Sequence, residues 1–354
     1  MFYNSRDKED WEYPVADVTQ WLVRHTDSVL PIPCHSHNDY WRRSPLFSAL
    51  AAGCTGIEAD VWLTANGQDL LVGHDRRSLR PGKTLRSMYL DPLLAMLDHR
   101  NPAATWGNRS AGERARGVYH TAPDTTVVLM IDVKEKPEVI WPMVMRQLEP
   151  LRRKGYLTRY QAASAGTNEM QTQTLWPGPL IVVGSGDLTL QGLRGCYPRG
   201  RGGFDASHDT FLDAPILSIA AQQRTESELE SVSYYSPANS HYASASFKRA
   251  VGHVLFGISD EQLETLRAQI RAARARGLVV RYWDIPGWPV NYRDYIWSVL
   301  TREGVDMLCV DDLAAARGAW TERYVQSAVP ATALSVVGVV LFVAVSVMGG
   351  YLQK

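Results

Sequence analysis

Three short stretches of the chain combine histidines with carboxylates at the ends of apolar runs. They read CHSHNDY at 34–40, GIEADVW at 56–62 and LLVGHD at 70–75. Glu58 and Asp60 are two residues apart, and in a strand that spacing points both side chains to the same side of the sheet. Two ionised carboxylates on a buried face require a cation. The spacing therefore predicts a metal site.

A third carboxylate lies in the apolar run VVLMIDVKEK at 127–136. Burying Asp132 unpaired would be costly, and the residue could supply a third oxygen ligand. Oxygen ligands favour Mg²⁺ or Ca²⁺ over zinc, so one of these is the expected cofactor. Lys134 lies two residues further on and on the same side of an extended strand. It could hold a phosphate oxygen as a point charge.

Histidines on two of these stretches would flank the metal. His35 or His37 on the first strand and His74 on the third would act as acid and base, one deprotonating a nucleophile and one protonating a leaving alkoxide. Phosphodiester cleavage requires this set of groups. The residues leave open which of His35 and His37 takes part.

The elements that must position these residues alternate between strands and helices, which predicts an α/β fold of the TIM-type (β/α)8 barrel class. The predicted strands are 29–34, 56–62, 70–73, 126–132, 180–184, 215–219, 278–283 and 307–310. The predicted helices are 45–52, 137–153, 260–276 and 292–302. The ranges 99–125 and 186–213 are predicted to be surface loops. The C-terminal ends of parallel barrel strands open on one face, where the candidate catalytic and metal-binding residues would converge.

The predicted organisation is a polar N-terminal segment at 1–28, a catalytic barrel at 29–320 and a transmembrane helix at 328–352. Residues 328–352 carry no charge and are long enough to cross a hydrocarbon core. No apolar secretory run precedes the barrel. The expected localisation is therefore a single-pass C-terminal tail anchor with the catalytic domain facing the cytosol, on the mitochondrial outer membrane, the endoplasmic reticulum or another organelle.

The composition of the chain argues against nucleic acid as a binding partner. The chain has 37 basic and 37 acidic residues, so no positive excess attracts it to nucleic acid. The four cysteines form no CxxC pair and no zinc spacing. We expect free thiols in a reducing compartment.

The motifs resemble those of the glycerophosphodiester phosphodiesterase and phosphatidylinositol phospholipase C-like barrel superfamily, which includes the spider-venom phospholipases D. The shared pattern is a histidine on the first strand, G-x-E-x-D-V on the second, H-D on the third and D-x-K on the fourth. HSHNDYWR, IEADVW and LLVGHD together look most like the fungal family named altered inheritance of mitochondria protein six. The resemblance spans roughly residues 29–315.

This resemblance implies a phosphoric diester hydrolase acting on a glycerol- or lipid-derived substrate. It implies Glu58, Asp60 and Asp132 as metal ligands, and Trp283 in RYWDIP as part of the substrate pocket. The arginine that follows the first histidine in many superfamily members is absent, since Ser36 follows His35 and Asn38 follows His37.

Two other readings compete. An HxH pair on the first strand is typical of zinc amidohydrolases, for which His208, His241 and Asp311 could complete the site, but the ExD pair and Lys134 would then have no role. A catalytically inactive, membrane-bound barrel is the second alternative. A retained buried charge cluster argues against it because such a cluster lowers stability.

Overall fold

The structure is a computed structural model that describes residues 17–102, 114–162, 174–198, 203–225, 234–254 and 257–328. The chain divides into two compact units, the first ending at Leu313 and the second beginning at Ala314. The described part of the second unit is helical, and every described strand belongs to the first unit.

Eight parallel strands of the described chain close into a barrel. The described residues form twelve strands in all, of which eight belong to the barrel: β1 (Ile32–Ser36), β2 (Cys54–Leu63), β3 (Leu70–Val72), β4 (Val127–Val133), β5 (Arg159–Gln161), β6 (Thr174–Trp176), β7 (Leu180–Gly186), β8 (Ser207–His208), β9 (Thr210–Pro215), β10 (Ser240–Ser246), β11 (Val279–Trp283) and β12 (Met307–Val310). The barrel order is β1-β2-β4-β7-β9-β10-β11-β12, and β12 pairs in parallel with β1 to close the ring. Strand β3 pairs antiparallel with β2, while β5, β6 and β8 form a small separate sheet.

Helices connect the strands, as in a (β/α)8 barrel. They are α1 (Val18–Thr26), α2 (Phe47–Ala52), α3 (Asp91–Arg100), α4 (Pro137–Gln147), α5 (Glu149–Arg153), α6 (Leu190–Gly195), α7 (Ile216–Thr225), α8 (Phe247–Val251), α9 (Asp260–Ala275), α10 (Val290–Arg302) and α11 (Leu313–Ala328). Helix α9 starts with a capping box between Ser259 and Gln262, which satisfies backbone donors of its first turn.

Of the eight predicted strands, one is a strand outside the parallel barrel and one is mostly helical. The run at 70–73 is β3, which lies outside the parallel ring. The run at 215–219 is mostly the start of α7, and the strand before it, β9, ends at Pro215. Two barrel strands were therefore not predicted: β10, and β9, which shares only Pro215 with the predicted run. The predicted loop at 186–213 contains α6, β8 and the first part of β9. The other predicted loop includes 103–113, which lies outside the described residues.

The barrel interior changes from apolar to polar toward the C-terminal ends of the strands. Strand β4 contributes Met130 to the buried core and Asp132 to the mouth, and β7 repeats this change with Val183 and Ser185. Successive inward positions of a strand are two residues apart. Polar groups from several strands therefore gather at one open end above an apolar core.

A disulfide joins the first two barrel strands. Cys34 of β1 and Cys54 of β2 are bonded, with their Cα atoms 4.8 Å apart. The expectation of four free thiols was wrong, and the free cysteines are Cys196 and Cys309. Parallel pairing of β1 with β2 brings the two residues together across a sequence separation of 20. Spacing along the chain does not reveal such a contact.

The prediction of a C-terminal transmembrane helix needs correction. Within the described residues, no helix is both long enough and apolar enough to cross a membrane. The last described helix, α11, carries Arg317, Glu322 and Arg323, and residues 329–354 lie outside the described ranges. The predicted fold class was therefore wrong in adding a transmembrane helix to the barrel. The tail-anchored, cytosol-facing localisation that rested on this helix is withdrawn.

Candidate active site

The three carboxylates predicted to bind metal meet at the C-terminal mouth of the barrel. One oxygen each of Glu58, Asp60 and Asp132 lies within 4.8 Å of the others. Asp60 stands directly beside Asp132 because β2 and β4 pair in that register. Oδ1 of Asp60 is buried and has no hydrogen-bond partner among the described residues. An all-oxygen donor set with an unsatisfied buried oxygen fits a hard divalent cation such as Mg²⁺ or Ca²⁺.

Lys134 lies between two of these carboxylates. Its Nζ is 2.8 Å from Asp60 Oδ2 and 2.8 Å from Asp132 Oδ1. Burial alone would lower the pKa of Lys134, but the two carboxylates raise it above its ordinary value. Burial raises the pKa of Asp132, although Lys134 opposes this. The lysine is therefore a charged group held at a fixed position in the site.

His35 lies inside the barrel and is fully buried. Its Nδ1 is 3.3 Å from Tyr242 Oη, and its Nε2 is 3.8 Å from Glu58 Oε2. Gly56 makes room for the ring, since a Cβ at that position would lie 2.4 Å from His35 Nδ1. Burial lowers the pKa of His35 to about 4. The ring is thus neutral at physiological pH and enclosed within the barrel.

His37 follows the end of β1 and reaches the mouth. Its backbone N–H donates to the carbonyl of Val310 at 3.0 Å, and its Nδ1 lies 2.9 Å from Asp311 Oδ1. Burial acts to lower the pKa of His37, but the hydrogen bond to Asp311 brings it above the ordinary value. A carboxylate bonded to one ring nitrogen fixes the tautomer and orientation of an acid–base histidine. From the sequence, Asp311 was predicted only as part of the alternative zinc site, and its pairing with His37 was not predicted.

His74 follows β3 and lies beside Asp60. Its Nδ1 lies 3.1 Å from Tyr40 Oη and 3.6 Å from Asp60 Oδ2. Tyr40 Oη donates to Asp60 Oδ2 at 2.6 Å. The Trp41 ring lies beside His74, with centroids 5.0 Å apart, and half of the histidine side chain is exposed. Tyr40 thus connects an exposed histidine to the carboxylate cluster.

The loop after β1 is anchored by a buried aspartate that the sequence analysis did not identify. Asp39 is fully buried and accepts hydrogen bonds from Ser36 Oγ at 2.7 Å and Tyr89 Oη at 3.2 Å. Arg42 Nε lies 3.4 Å from the same carboxylate and also donates to Ser36. These bonds fix the short helical turn that presents Tyr40. The sequence feature that could have indicated this buried residue is the aspartate of the motif NDY.

A second ionic group that the sequence analysis missed lies deeper in the barrel. Arg281 of β11 is 3% exposed, with NH1 3.8 Å from Glu58 Oε2 and NH2 3.7 Å from Asp213 Oδ2. Burial raises the pKa of Asp213 to about 6 even though Arg281 lowers it. Burial also acts to raise the pKa of Glu58, but His35 and Arg281 hold it below its ordinary value. The sequence feature that could have indicated this group is an arginine inside the apolar strand VVRYW.

The remaining predicted residues lie in different places. Trp283 ends β11 at the mouth and is 37% exposed, so its contact with substrate stays a prediction. His208 belongs to β8 in the small sheet, where its Nδ1 is 2.7 Å from the Phe204 carbonyl oxygen. His241 precedes Tyr242 on β10 and so faces the opposite side of that strand. The described residues bring no histidine cluster together as a zinc amidohydrolase requires.

Comparison with known proteins agrees with this geometry. Residues 23–194 match the family model of the AIM6-like phosphodiesterase domain. The chain is 35% identical over 318 residues to the altered inheritance of mitochondria protein 6 homolog of Arthroderma benhamiae, covering 87% of each chain. The chain belongs to the altered inheritance of mitochondria protein 6 family. Other members of this family are 33% identical: that of Eremothecium gossypii, over 79% of this chain and 67% of its own, and that of Saccharomyces cerevisiae, over 82% and 72%.

Membership in this family makes the barrel a phosphodiesterase-like domain, as the sequence motifs implied. The match to the family model includes β1 through β7 and with them the carboxylates, Lys134 and both mouth histidines. Arg281 and Asp213 lie beyond the matched residues.

Proposed function

We propose that this protein is a divalent-cation-dependent phosphoric diester hydrolase in which His37 and His74 act as the acid–base pair. The observation that carries the proposal is the convergence of Glu58, Asp60 and Asp132 within 4.8 Å at the barrel mouth. The mouth is also where active sites of TIM-type barrels lie.

The charge of the site supports a divalent cation. The three carboxylates carry three negative charges, and the ammonium of Lys134 contacts two of them directly. Two negative charges of this largely buried group are therefore not balanced by the lysine. Buried charges need partners. When bound, Mg²⁺ or Ca²⁺ would supply positive charge to the phosphoryl oxygens and stabilise the charge that develops there. Glu58, Asp60 and Asp132 would hold it.

The two mouth histidines divide the proton transfers. His37 is bonded to Asp311 through Nδ1, so Nε2 is the nitrogen that takes the proton of the attacking hydroxyl. Asp311 stabilises the resulting imidazolium, in agreement with the raised pKa of His37. His74, which is half exposed and lies 3.6 Å from Asp60 Oδ2 through Nδ1, protonates the leaving alkoxide. His35 supports Glu58 from inside the barrel and takes no part in proton transfer.

Lys134 and Trp283 would contact the substrate. The lysine ammonium has three donors, of which two are directed to carboxylates, and the third would bind a non-bridging phosphate oxygen. Trp283 would pack against the group esterified to the phosphate. Resemblance to glycerophosphodiester phosphodiesterases favours a glycerol- or lipid-derived diester as the substrate.

The test is hydrolysis by the full-length chain of glycerophosphocholine, glycerophosphoinositol, a lysophospholipid and a nitrophenyl phosphodiester, each with Mg²⁺, Ca²⁺ or chelator. We expect cleavage that requires the cation and that Glu58→Gln, His37→Ala or His74→Ala lowers by at least about 100-fold. The control His253→Ala, at an exposed histidine outside the site, should retain wild-type activity.

Two results would contradict the proposal. A folded wild-type protein that cleaves none of the panel with either cation would remove the hydrolase assignment. Loss of activity in His35→Asn with retention in His37→Ala would show that the proton transfers belong to the buried histidine instead.

A further inference from the structure

Arg281 places a positive charge inside the barrel, directly below the carboxylate cluster. Its guanidinium is almost equally distant from two carboxylates, 3.8 Å from Glu58 Oε2 and 3.7 Å from Asp213 Oδ2. Both distances exceed an ordinary hydrogen bond. The arginine is therefore shared between a residue of the candidate metal site and a residue outside it.

Neutral groups hold the guanidinium in this shared position. Nε donates to Ser244 Oγ at 3.2 Å, while NH1 and NH2 lie 3.4 Å from Cys309 Sγ and 3.3 Å from Met130 Sδ. These contacts come from three other barrel strands, and the arginine is 3% exposed. The charge consequently cannot move into water when the balance of nearby carboxylates changes.

We propose that Asp213 is a positioning residue that balances the charge of Arg281 and so keeps Glu58 available to a divalent cation. The inference rests on the proposed function, since it assumes that Glu58 is a metal ligand. Without the charge of Asp213, Arg281 would pair with Glu58 alone. It would then compete with the metal for that carboxylate and repel the ion.

The surroundings of Asp213 fit a charge-balancing role better than a purely structural one. Asp213 Oδ1 is buried and makes no hydrogen bond within the described part of the chain. Asp209, four residues earlier, instead makes two short bonds to Arg152, at 2.5 and 3.1 Å. Carboxylates retained for stability have their oxygens bonded in this way. Asp209→Asn is therefore a matched control that removes a half-buried ion pair away from the mouth.

The experiment measures Mg²⁺ and Ca²⁺ binding to the full-length protein by titration calorimetry without substrate. Groups that support metal ligands indirectly typically change affinity 10–100-fold. We expect Asp213→Asn to weaken binding by about that factor, and Asp213→Glu, which keeps the charge, to stay within about threefold of wild type. Asp209→Asn should lower the melting temperature but leave cation affinity unchanged. The double variant Asp213→Asn/Arg281→Met should recover most of the lost affinity because the pair is again neutral.

Kinetics separate this role from a general structural one. For Asp213→Asn the cation concentration that gives half-maximal hydrolysis should rise by the same factor, with kcat at saturating cation close to wild type. Wild-type cation affinity in Asp213→Asn would overturn the inference and leave the proposed function intact. Equal weakening in Asp213→Glu and Asp213→Asn would also overturn it, because charge would then not be the cause. A wild-type protein that binds neither cation would refute the proposed function and this inference together.

Discussion

The disulfide between Cys34 and Cys54 should contribute about 3 kcal/mol to the free energy of unfolding. It closes a loop with a sequence separation of 20 residues. Joining two points of an unfolded chain at that separation removes about 11 cal/mol/K of conformational entropy, which is about 3 kcal/mol at 25 °C. An unfolding entropy of about 2.1 cal/mol/K per residue over the compact unit ending at Leu313 is about 0.7 kcal/mol/K. The melting temperature should therefore fall by about 5 °C without the bond.

The double variant Cys34→Ala/Cys54→Ala measures this contribution by calorimetric or circular-dichroism melting at one scan rate. Cys196→Ala, at a free and partly exposed thiol, is the control and should melt like wild type. Alkylation of the denatured, unreduced wild type should label Cys196 and Cys309 only, as seen by intact mass. A double variant that melts within 1 °C of wild type, or labelling of all the cysteines, would refute the reasoning.

Three further predictions concern the site. Lys134→Met should lower kcat/KM by at least about 100-fold, since the charged donor for phosphate is lost, whereas an unchanged kcat/KM would remove the lysine from the site. Asp311→Asn should move the acidic limb of the pH–rate profile to lower pH, because His37 must be deprotonated to act as a base and loss of the carboxylate lowers its pKa. An acidic limb that does not move would contradict the coupling between Asp311 and His37. Gly56→Ala should destabilise the fold by about 1–3 kcal/mol in denaturant titrations, because the added Cβ meets the ring of His35; wild-type stability would mean that this ring moves freely.

The barrel could be predicted from sequence because most of its strands are apolar runs, but β9 was misplaced and β10 was not predicted at all. Strand β10 reads SHYASAS, and its small polar residues give no apolar signal. It faces the polar upper barrel through Ser244, where a hydroxyl bonded to Arg281 replaces a core side chain. The polar residues that kept β10 from being predicted thus include one that contacts the buried arginine below the site.

The candidate site was predictable where it depends on local spacing. Glu58 and Asp60 face one way because strand side chains alternate, and Asp132 joins them because its strand pairs with theirs. The choice between His35 and His37 depended on where β1 ends, and strand ends are the least certain feature of a sequence prediction. The partner of His37, Asp311, lies at the other end of the chain, and only closure of the barrel brings them together.

Lys134 gives the acidic cluster a counter-ion that is part of the chain itself. Its ammonium already bridges Asp60 and Asp132. Many small metal-binding domains unfold when the ion is removed, because their ligands have no other partners. Here the ammonium of Lys134 already balances part of the charge of the cluster, so we expect the barrel to fold without a metal ion. If the proposed function holds, the ion would be able to exchange during the life of the protein, and its supply would control activity without controlling how much folded protein exists.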